Sequence, residues 1–175
     1  MEPFRTSRLV LRDATLDDVD ALHAILSNAE AMRYWSTAPH TELAQTRAWT
    51  ESMIAAARDG LSRDDCIVEH EGRVIGKFGF WREPELGFIL HPDAQGRGFA
   101  REVLEALLER AFERRRLSHA TADVDPRNER CLRLLSKLGF RGVGRAERTF
   151  LVGGVWSDSV YLQLAAATWR AARAP

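Results

Sequence analysis

The chain has 175 residues, 45% hydrophobic and 29% charged, the make-up of an ordinary folded domain, which excludes a disordered tract, a collagen-like repeat or a disulfide-stapled miniprotein. Its 25 basic and 25 acidic residues cancel, so no net positive charge draws it to nucleic acid or to an anionic membrane. One domain spanning residues 1–175 is expected.

Met1 to Arg5 lacks the apolar run of a secretory leader, and no apolar stretch approaches the roughly 20 residues that cross a bilayer, so the expected location is the cytoplasm. Arg8-Leu9-Val10-Leu11-Arg12 predicts a short strand. Thr15 or Asp17 can then cap a helix whose apolar positions Val19, Leu22, Ile25 and Leu26 recur at helical spacing. A second helix is expected from Thr41 to Arg58, stopped by Gly60. Cys66-Ile67-Val68 and Val74 to Trp81, with a turn at Glu71-Gly72, read as a hairpin, and Leu86 to Leu90 as a further strand broken by His91-Pro92-Asp93.

From Phe99 to Arg115, Val103, Leu104, Leu107, Leu108, Ala111 and Phe112 fall on one helical face. His119 to Val124 returns as a strand. Pro126 and Asn128 open a helix that Gly139-Phe140 closes, and two late strands, Gly144 to Val152 and Trp156 to Leu164, meet at Gly153-Gly154. The order implies an α/β fold: a mixed sheet with helices on both faces, around one hydrophobic core. Cys66 and Cys131 are too few and too far apart for a disulfide framework and stand in no metal-ligand spacing, so reduced thiols and no metal site are expected.

The chemistry concentrates where the strand Glu85-Leu86-Gly87-Phe88-Ile89-Leu90 runs through His91-Pro92-Asp93-Ala94-Gln95-Gly96-Arg97-Gly98 into the long helix. Amides of such a loop and of the first helical turn have no intrahelical acceptor, and the helix dipole adds positive charge there, so a pyrophosphate can accept several hydrogen bonds. Gly96 and Gly98 allow a close backbone approach and Arg97 can neutralise phosphate charge. A Walker loop is excluded, because the only lysines are Lys77 and Lys137. A dinucleotide fingerprint is disfavoured by Arg101 where a third small residue belongs. The charge pattern agrees with an anionic ligand: the first 94 residues are net acidic, whereas residues 95–148 are net basic.

The remaining pattern, Gln95-x-x-Gly98-x-Ala100, resembles the pyrophosphate loop of the GNAT superfamily of acetyl-CoA-dependent N-acetyltransferases. Arg8 to Arg12, Glu85 to Phe88, Asn128 through Lys137-Leu138-Gly139-Phe140, and Gly154 through Tyr161 together look like the RimJ/RimL branch of ribosomal-protein-alanine acetyltransferases. The resemblance implies a central twisted mixed sheet, splayed between the strand ending at Leu90 and its parallel neighbour, with acetyl-CoA in the gap. Its pantetheine arm would pair with backbone groups of Phe88, Ile89 and Leu90. Its pyrophosphate would rest on Gln95, Gly96, Arg97, Gly98, Phe99 and Ala100, with Arg101 nearby.

Asn128 matches the family position whose amide faces the cofactor arm, and equally reads as a helix N-cap. Cys131 departs from the branch, which usually shows Ser there. A thiol in a first helical turn is expected to have a lowered pKa and could protonate the departing sulfur; the alternative is a small core residue. Transfer to an amine needs a base and an oxyanion donor. Glu85 is the expected base, its carboxylate placed by strand alternation on one face with Gly87 and Ile89, or else a surface carboxylate at a strand end. A backbone amide near Ile89 or Leu90 is the expected oxyanion donor. Tyr161 is a further candidate acid, or a core ring. Trp35, Trp49 and Trp81, with acidic residues of the first half, would border the acceptor side and suit a cationic amine. His70, His91 and His119 have no nucleophile partner at triad spacing. A protein N-terminal α-amine is the leading acceptor; a small-molecule amine or antibiotic, or a non-catalytic acyl-CoA-binding regulatory domain, stand as alternatives. The late hairpin of such folds leaves a homodimer open.

Overall fold

The computed structural model describes residues 2–173. Eight strands form one sheet: β1 (Phe4–Arg5), β2 (Leu9–Arg12), β3 (Arg63–His70), β4 (Arg73–Arg82), β5 (Glu85–Leu90), β6 (His119–Val124), β7 (Arg141–Val152) and β8 (Val155–Ala165), in the spatial order β1-β2-β3-β4-β5-β6-β8-β7. All neighbours are antiparallel except β5 and β6. The helices are α1 (Val19–Leu26), α2 (Leu43–Arg58), α3 (Phe99–Glu109), α4 (Glu129–Lys137) and α5 (Ala166–Ala171). A π turn over Arg110–Arg114 prolongs α3, so the helix expected to Arg115 is continuous in direction but changes its hydrogen-bond pattern, with Arg115 N–H donating to Arg110 C=O at 3.0 Å.

The sheet separates two apolar layers where the sequence implied one core. On one side Val103, Leu104, Leu107 and Phe112 of the α3 segment, Leu135 of α4 and Trp169 of α5 pack on Leu11, Val68, Phe78, Leu86, Ala122 and Leu162. On the other, Leu22, Ile25 and Leu26 of α1 and Met53 of α2 cover Ile67 and Ile89. Strand alternation is the physical cause: Leu86 and Leu90 belong to the first layer and Ile89 to the second. Each fully buried Leu or Phe contributes about 1.5–3 kcal/mol. Two elements were not expected. β1 is two residues long, too short for a period, and exists because Phe4 and Arg5 pair with Leu11 and Val10. α5 is six residues long and docks through Trp169, which is 3% exposed.

The parallel pair β5 and β6 creates the site. Only Glu85 and Thr121 are in register across it, with Thr121 N–H donating to Pro84 C=O at 2.9 Å. Beyond that point β5 stays on β4, through Gly87 with Gly79, Phe88 with Phe78 and Ile89 with Lys77, whereas β6 stays on β8 from His119 to Val124. The two strands diverge and the sheet is split, as the splayed sheet of the sequence reading requires. Antiparallel neighbours hold each half while no hairpin ties the halves together, so the split needs no broken strand. Among the described residues no helix is long and apolar enough to cross a membrane.

Candidate active site

A cleft of about 800 Å³ passes through the split. Leu86 and Phe88 of β5, Ala122 and Val124 of β6, and Cys131 and Leu135 of α4 line it on the α3 side of the sheet. On the α2 side it is bordered by Glu85, Trp81, Arg82, Asp65, Lys77 and Trp49, with Tyr34, Trp35 and His40 from the segment between α1 and α2. Asp123, Asp125, Phe150, Asp158 and Tyr161 close the far wall. The lining is thus apolar on the α3 side of the sheet and rich in rings and carboxylates on the other.

The loop that leads into α3 stands past the C-terminal end of β5. A 3-10 turn over Pro92–Ala94 delivers Gln95, and Gly96 and Gly98 adopt φ of +74° and +80°. Gly98 is the N-cap of α3 in the left-handed region, where a side chain is strained. A Cβ on Gly96 would meet nothing within 4 Å, so the backbone there is open to a ligand. The loop is held from outside. Arg8 Nη1 donates to Arg97 C=O at 3.0 Å, and the Arg8 and Arg97 guanidinium carbons lie 4.5 and 4.7 Å from the Phe99 ring centre. Gln95 Nε2 donates to Leu90 C=O at 3.4 Å, while its Oε1 accepts from Arg130 at 3.3 Å. Open amides, two small residues and the guanidinium groups of Arg97 and Arg130 suit a pyrophosphate, and the divergent edge of β5 suits an extended arm.

The expected loop residues are thus placed with differences. The Phe99 ring is 1% exposed and belongs to the core, so only its backbone can face a ligand. Arg101 is committed to Glu105, one turn further along α3, at 3.0 Å. Ile89 and Leu90 are buried, and Phe88 lines the cleft. Ala100 is half-buried at the first turn of α3.

Glu85 reaches the cleft. Its carboxylate accepts from Trp81 Nε1 at 3.3 Å and lies 3.9 Å from Arg82. Tyr161 also lines the cleft and is 38% exposed, so it is not a core ring. Asn128 caps α4, its Oδ1 accepting from Cys131 N–H at 3.1 Å, and it also lines the cleft. The lowered pKa expected for Cys131 is corrected. Burial pushes the thiol up to about 12, because desolvation of a thiolate outweighs the partial charge of a first helical turn. The residue is therefore an S–H group at neutral pH.

Trp35, Trp49 and Trp81 all border the cleft. Several lining groups escaped the sequence. Lys77, 3% exposed, pairs with Asp65 at 2.5 Å, and burial still pushes Asp65 upward against that pairing. Burial acts to raise Asp125 too, but hydrogen bonds from Arg127 overcome it and hold the carboxyl low. Asp123, which no cation accompanies among the described residues, is pushed up by burial, with a hydrogen bond from Ser159 opposing. Its signal in the sequence was the alternation Thr121-Ala122-Asp123-Val124, which puts a carboxyl on the face opposite the buried alanine. Among the described residues no group of His, Cys, Asp or Glu side chains is placed to hold a metal ion.

Comparison with known proteins agrees with this geometry. The family described as Acetyltransferase (GNAT) domain matches residues 8–141. The chain is 31% identical over 151 residues to the Uncharacterized N-acetyltransferase p20 of Bacillus licheniformis, covering 82% of this chain and 85% of that one. Among solved structures, the ribosomal L7/L12 alpha-N-protein acetyltransferase RimL in complex with coenzyme A superposes with a TM-score of 0.83 at 20% identity, over 94% of this chain and 98% of that one. Spermidine N-acetyltransferase from Vibrio cholerae, in complex with CoA and spermine, gives a TM-score of 0.79 at 22% identity over 94% and 99%. The chain belongs to the GNAT acetyltransferase family: it is an N-acetyltransferase, with acetyl-CoA as its cosubstrate.

Proposed function

We propose that this enzyme acetylates a primary amine that arrives as a cation. The observation that carries the reading is the composition of the α2-side and far walls, where the carboxylates Glu85, Asp123, Asp125, Asp158 and Asp65 outnumber the cations beside them, Lys77, Arg82 and Arg127, among rings of Tyr34, Trp35, Trp49, Trp81 and Tyr161. Such a wall attracts an ammonium by charge and by ring faces. Two acceptors meet the description. A protein N-terminal α-amine follows from the RimJ/RimL resemblance and from the likeness to RimL. A polyamine is what the V. cholerae relative acts on, and its second charge suits the surplus of carboxylates.

Acetyl-CoA supplies the acetyl group as an activated thioester. The open amides around Gly96 and Gly98, with Arg97 and Arg130 beside them and Arg8 bracing the loop from outside, hold its diphosphate, and the unpaired edge of β5 at Phe88 to Leu90 takes its arm. Glu85 holds the acceptor ammonium at the mouth of the split. Cys131 and Tyr161, an S–H and an O–H within the cleft, are the donors available to the departing sulfur. A backbone amide of β5 near Ile89 is the oxyanion donor, fixed in place by the pairing of β5 with β4.

The test is thiol release from acetyl-CoA with a panel of spermidine, short peptides with free N-termini, and neutral amines. Release with the cationic members and little with the neutral ones is expected. Tight binding of acetyl-CoA without amine-dependent release would instead favour the non-catalytic regulatory reading.

A further inference from the structure

Resting on that reading, we infer that the proton leaving the acceptor nitrogen is taken by Asp123, backed by the hydroxyl chain of Ser159 and Thr149, while Glu85 holds charge. Placement is the first argument. On β6 the exposed-side positions are His119, Thr121 and Asp123, and Thr121 is the residue in register with Glu85. Asp123 therefore sits two residues past the last β5–β6 pairing, where the sheet opens, on the same face as Glu85. Tyr161 lies directly across on β8, and all three line the cleft.

Partners are the second. Asp65 is tied to Lys77, Asp125 to Arg127 at 2.5 Å, and Glu85 to Trp81 and Arg82. Asp158 accepts from the Arg148 N–H at 2.9 Å. Of these, Asp125 is held low by the hydrogen bonds from Arg127. Asp123 has no ion pair among the described residues; its partner is the Ser159 hydroxyl. Burial raises its proton affinity against that hydrogen bond, the direction a base requires.

The hydroxyl chain is the third. Ser159 is 1% exposed, its Oγ lies 2.8 Å from Thr149 Oγ1, and Thr149 Oγ1 can donate to Ser157 C=O at 3.1 Å. Two arrangements satisfy every group. With Asp123 ionised, Thr149 donates to Ser159 and Ser159 to the carboxylate. With Asp123 protonated, the acid donates to Ser159, Ser159 to Thr149, and Thr149 to the Ser157 carbonyl. Rotation of two hydroxyls thus accommodates a carboxyl that must gain and lose a proton each turnover, with no buried donor stranded. The proton count closes. In becoming an amide, an R–NH3+ acceptor loses two protons: as the nitrogen lone pair forms the N–C bond and the C–S pair leaves on sulfur, one passes to Asp123 and then to water, and the other completes the thiol.

Asp123→Asn, which keeps the shape, is expected to lower kcat by about 10²–10⁴-fold with acetyl-CoA affinity unchanged by calorimetry, and to remove the acid limb of the kcat/KM profile. Glu85→Gln should raise the acceptor KM and leave that limb in place. Ser159→Ala, which removes a donor to the carboxylate, should move the limb to higher pH. Independently of turnover, carbon-13 NMR of aspartate-labelled protein should show one carboxyl, absent from Asp123→Asn, that titrates above the ordinary aspartate range and rises further in Ser159→Ala. The inference fails if Asp123→Asn keeps kcat within about threefold of wild type, a loss far below that expected of a general base. It also fails if the acid limb survives in Asp123→Asn and vanishes in Glu85→Gln, or if the Asp123 carboxyl titrates in the ordinary range. A wild-type protein that releases no thiol with any amine overturns the acetyl-transfer reading itself, and this inference with it.

Discussion

Cys131 shows how a single residue turns on its surroundings. Its position, three residues into the turn that Asn128 caps, favours a thiolate, yet burial against Leu135 and the α3-side layer pushes the thiol up to about 12. The sign has consequences for reactivity. A raised value means that almost no thiolate exists at pH 8, so alkylation of Cys131 by iodoacetamide should run at least about 10²-fold slower than for a free thiol and climb steeply only in strong alkali. Measured labelling at the free-thiol rate would show that the side chain is solvated. As a donor the S–H is replaceable: Cys131→Ser should keep turnover, whereas Cys131→Ala should lower it if the group serves the sulfur and leave it unaltered if Tyr161 does so alone. Glu85, Asn128, Cys131 and Tyr161, which line the cleft, could be picked from the sequence, Asn128 and Cys131 through the family resemblance and Glu85 and Tyr161 through their strands. For Asp123 the alternation of β6 gives only the face, because its surroundings depend on Ser159 and Thr149, far along the chain, and on which strand stops pairing with which.

At the level of elements, α3 and its loop were legible because a 3.6-residue apolar face and two glycines suffice to write them. What ties α3 to the sheet was not. Glu102, in the first turn, accepts from Thr6 and Ser7 hydroxyls, from the Arg8 N–H at 2.9 Å and from Arg8 Nε at 2.7 Å. This one carboxylate joins the β1–β2 turn to the mouth of α3 and positions the guanidinium that supports Arg97. Burial acts to raise Glu102, but the donors outweigh it and hold the carboxyl at about 2, below its ordinary 4.5. A depressed value in the folded state stabilises the fold fully above about pH 4.5, and that contribution is lost as pH falls towards 2. Glu102→Gln should therefore cost roughly 1–3 kcal/mol at pH 7, read by urea unfolding, and flatten the acid side of the stability profile. An unchanged profile would place these contacts outside the stability of the domain. No sequence pattern links Thr6 to Glu102, since the pairing exists only after β1 and β2 have docked beside α3.

For the whole molecule, the split sheet sets the coupling between binding and stability. β1 to β5 with α1 and α2 form one half, and β6 to β8 with α4 and α5 the other, joined through α3 and the single register pair of Glu85 with Thr121. The order of strands was partly readable from hairpin turns, whereas the divergence was expected from the family resemblance alone, because it follows from how β4 and β8 hold their neighbours. An unpaired parallel edge is a weak seam, and a ligand that pairs with β5 and bridges to α4 bonds the two halves without altering either. At a hundred times its dissociation constant such a ligand stabilises by about 2.7 kcal/mol, which for a chain of this size is a rise of about 5–10 °C in Tm. Acetyl-CoA should produce that shift in a thermal melt, with slowed amide exchange confined to the β5 edge and the loop amides from Gln95 to Ala100. Gly98→Ala separates the two contributions. A methyl there meets Arg8 Nη2 at 3.5 Å and forces an L-residue to φ +80°, so the unliganded protein should lose about 1 kcal/mol. The acetyl-CoA shift should shrink as well if the loop amides hold the diphosphate, because the methyl displaces them. A full shift in the variant would mean that the arm along β5, and not the loop, supplies the affinity.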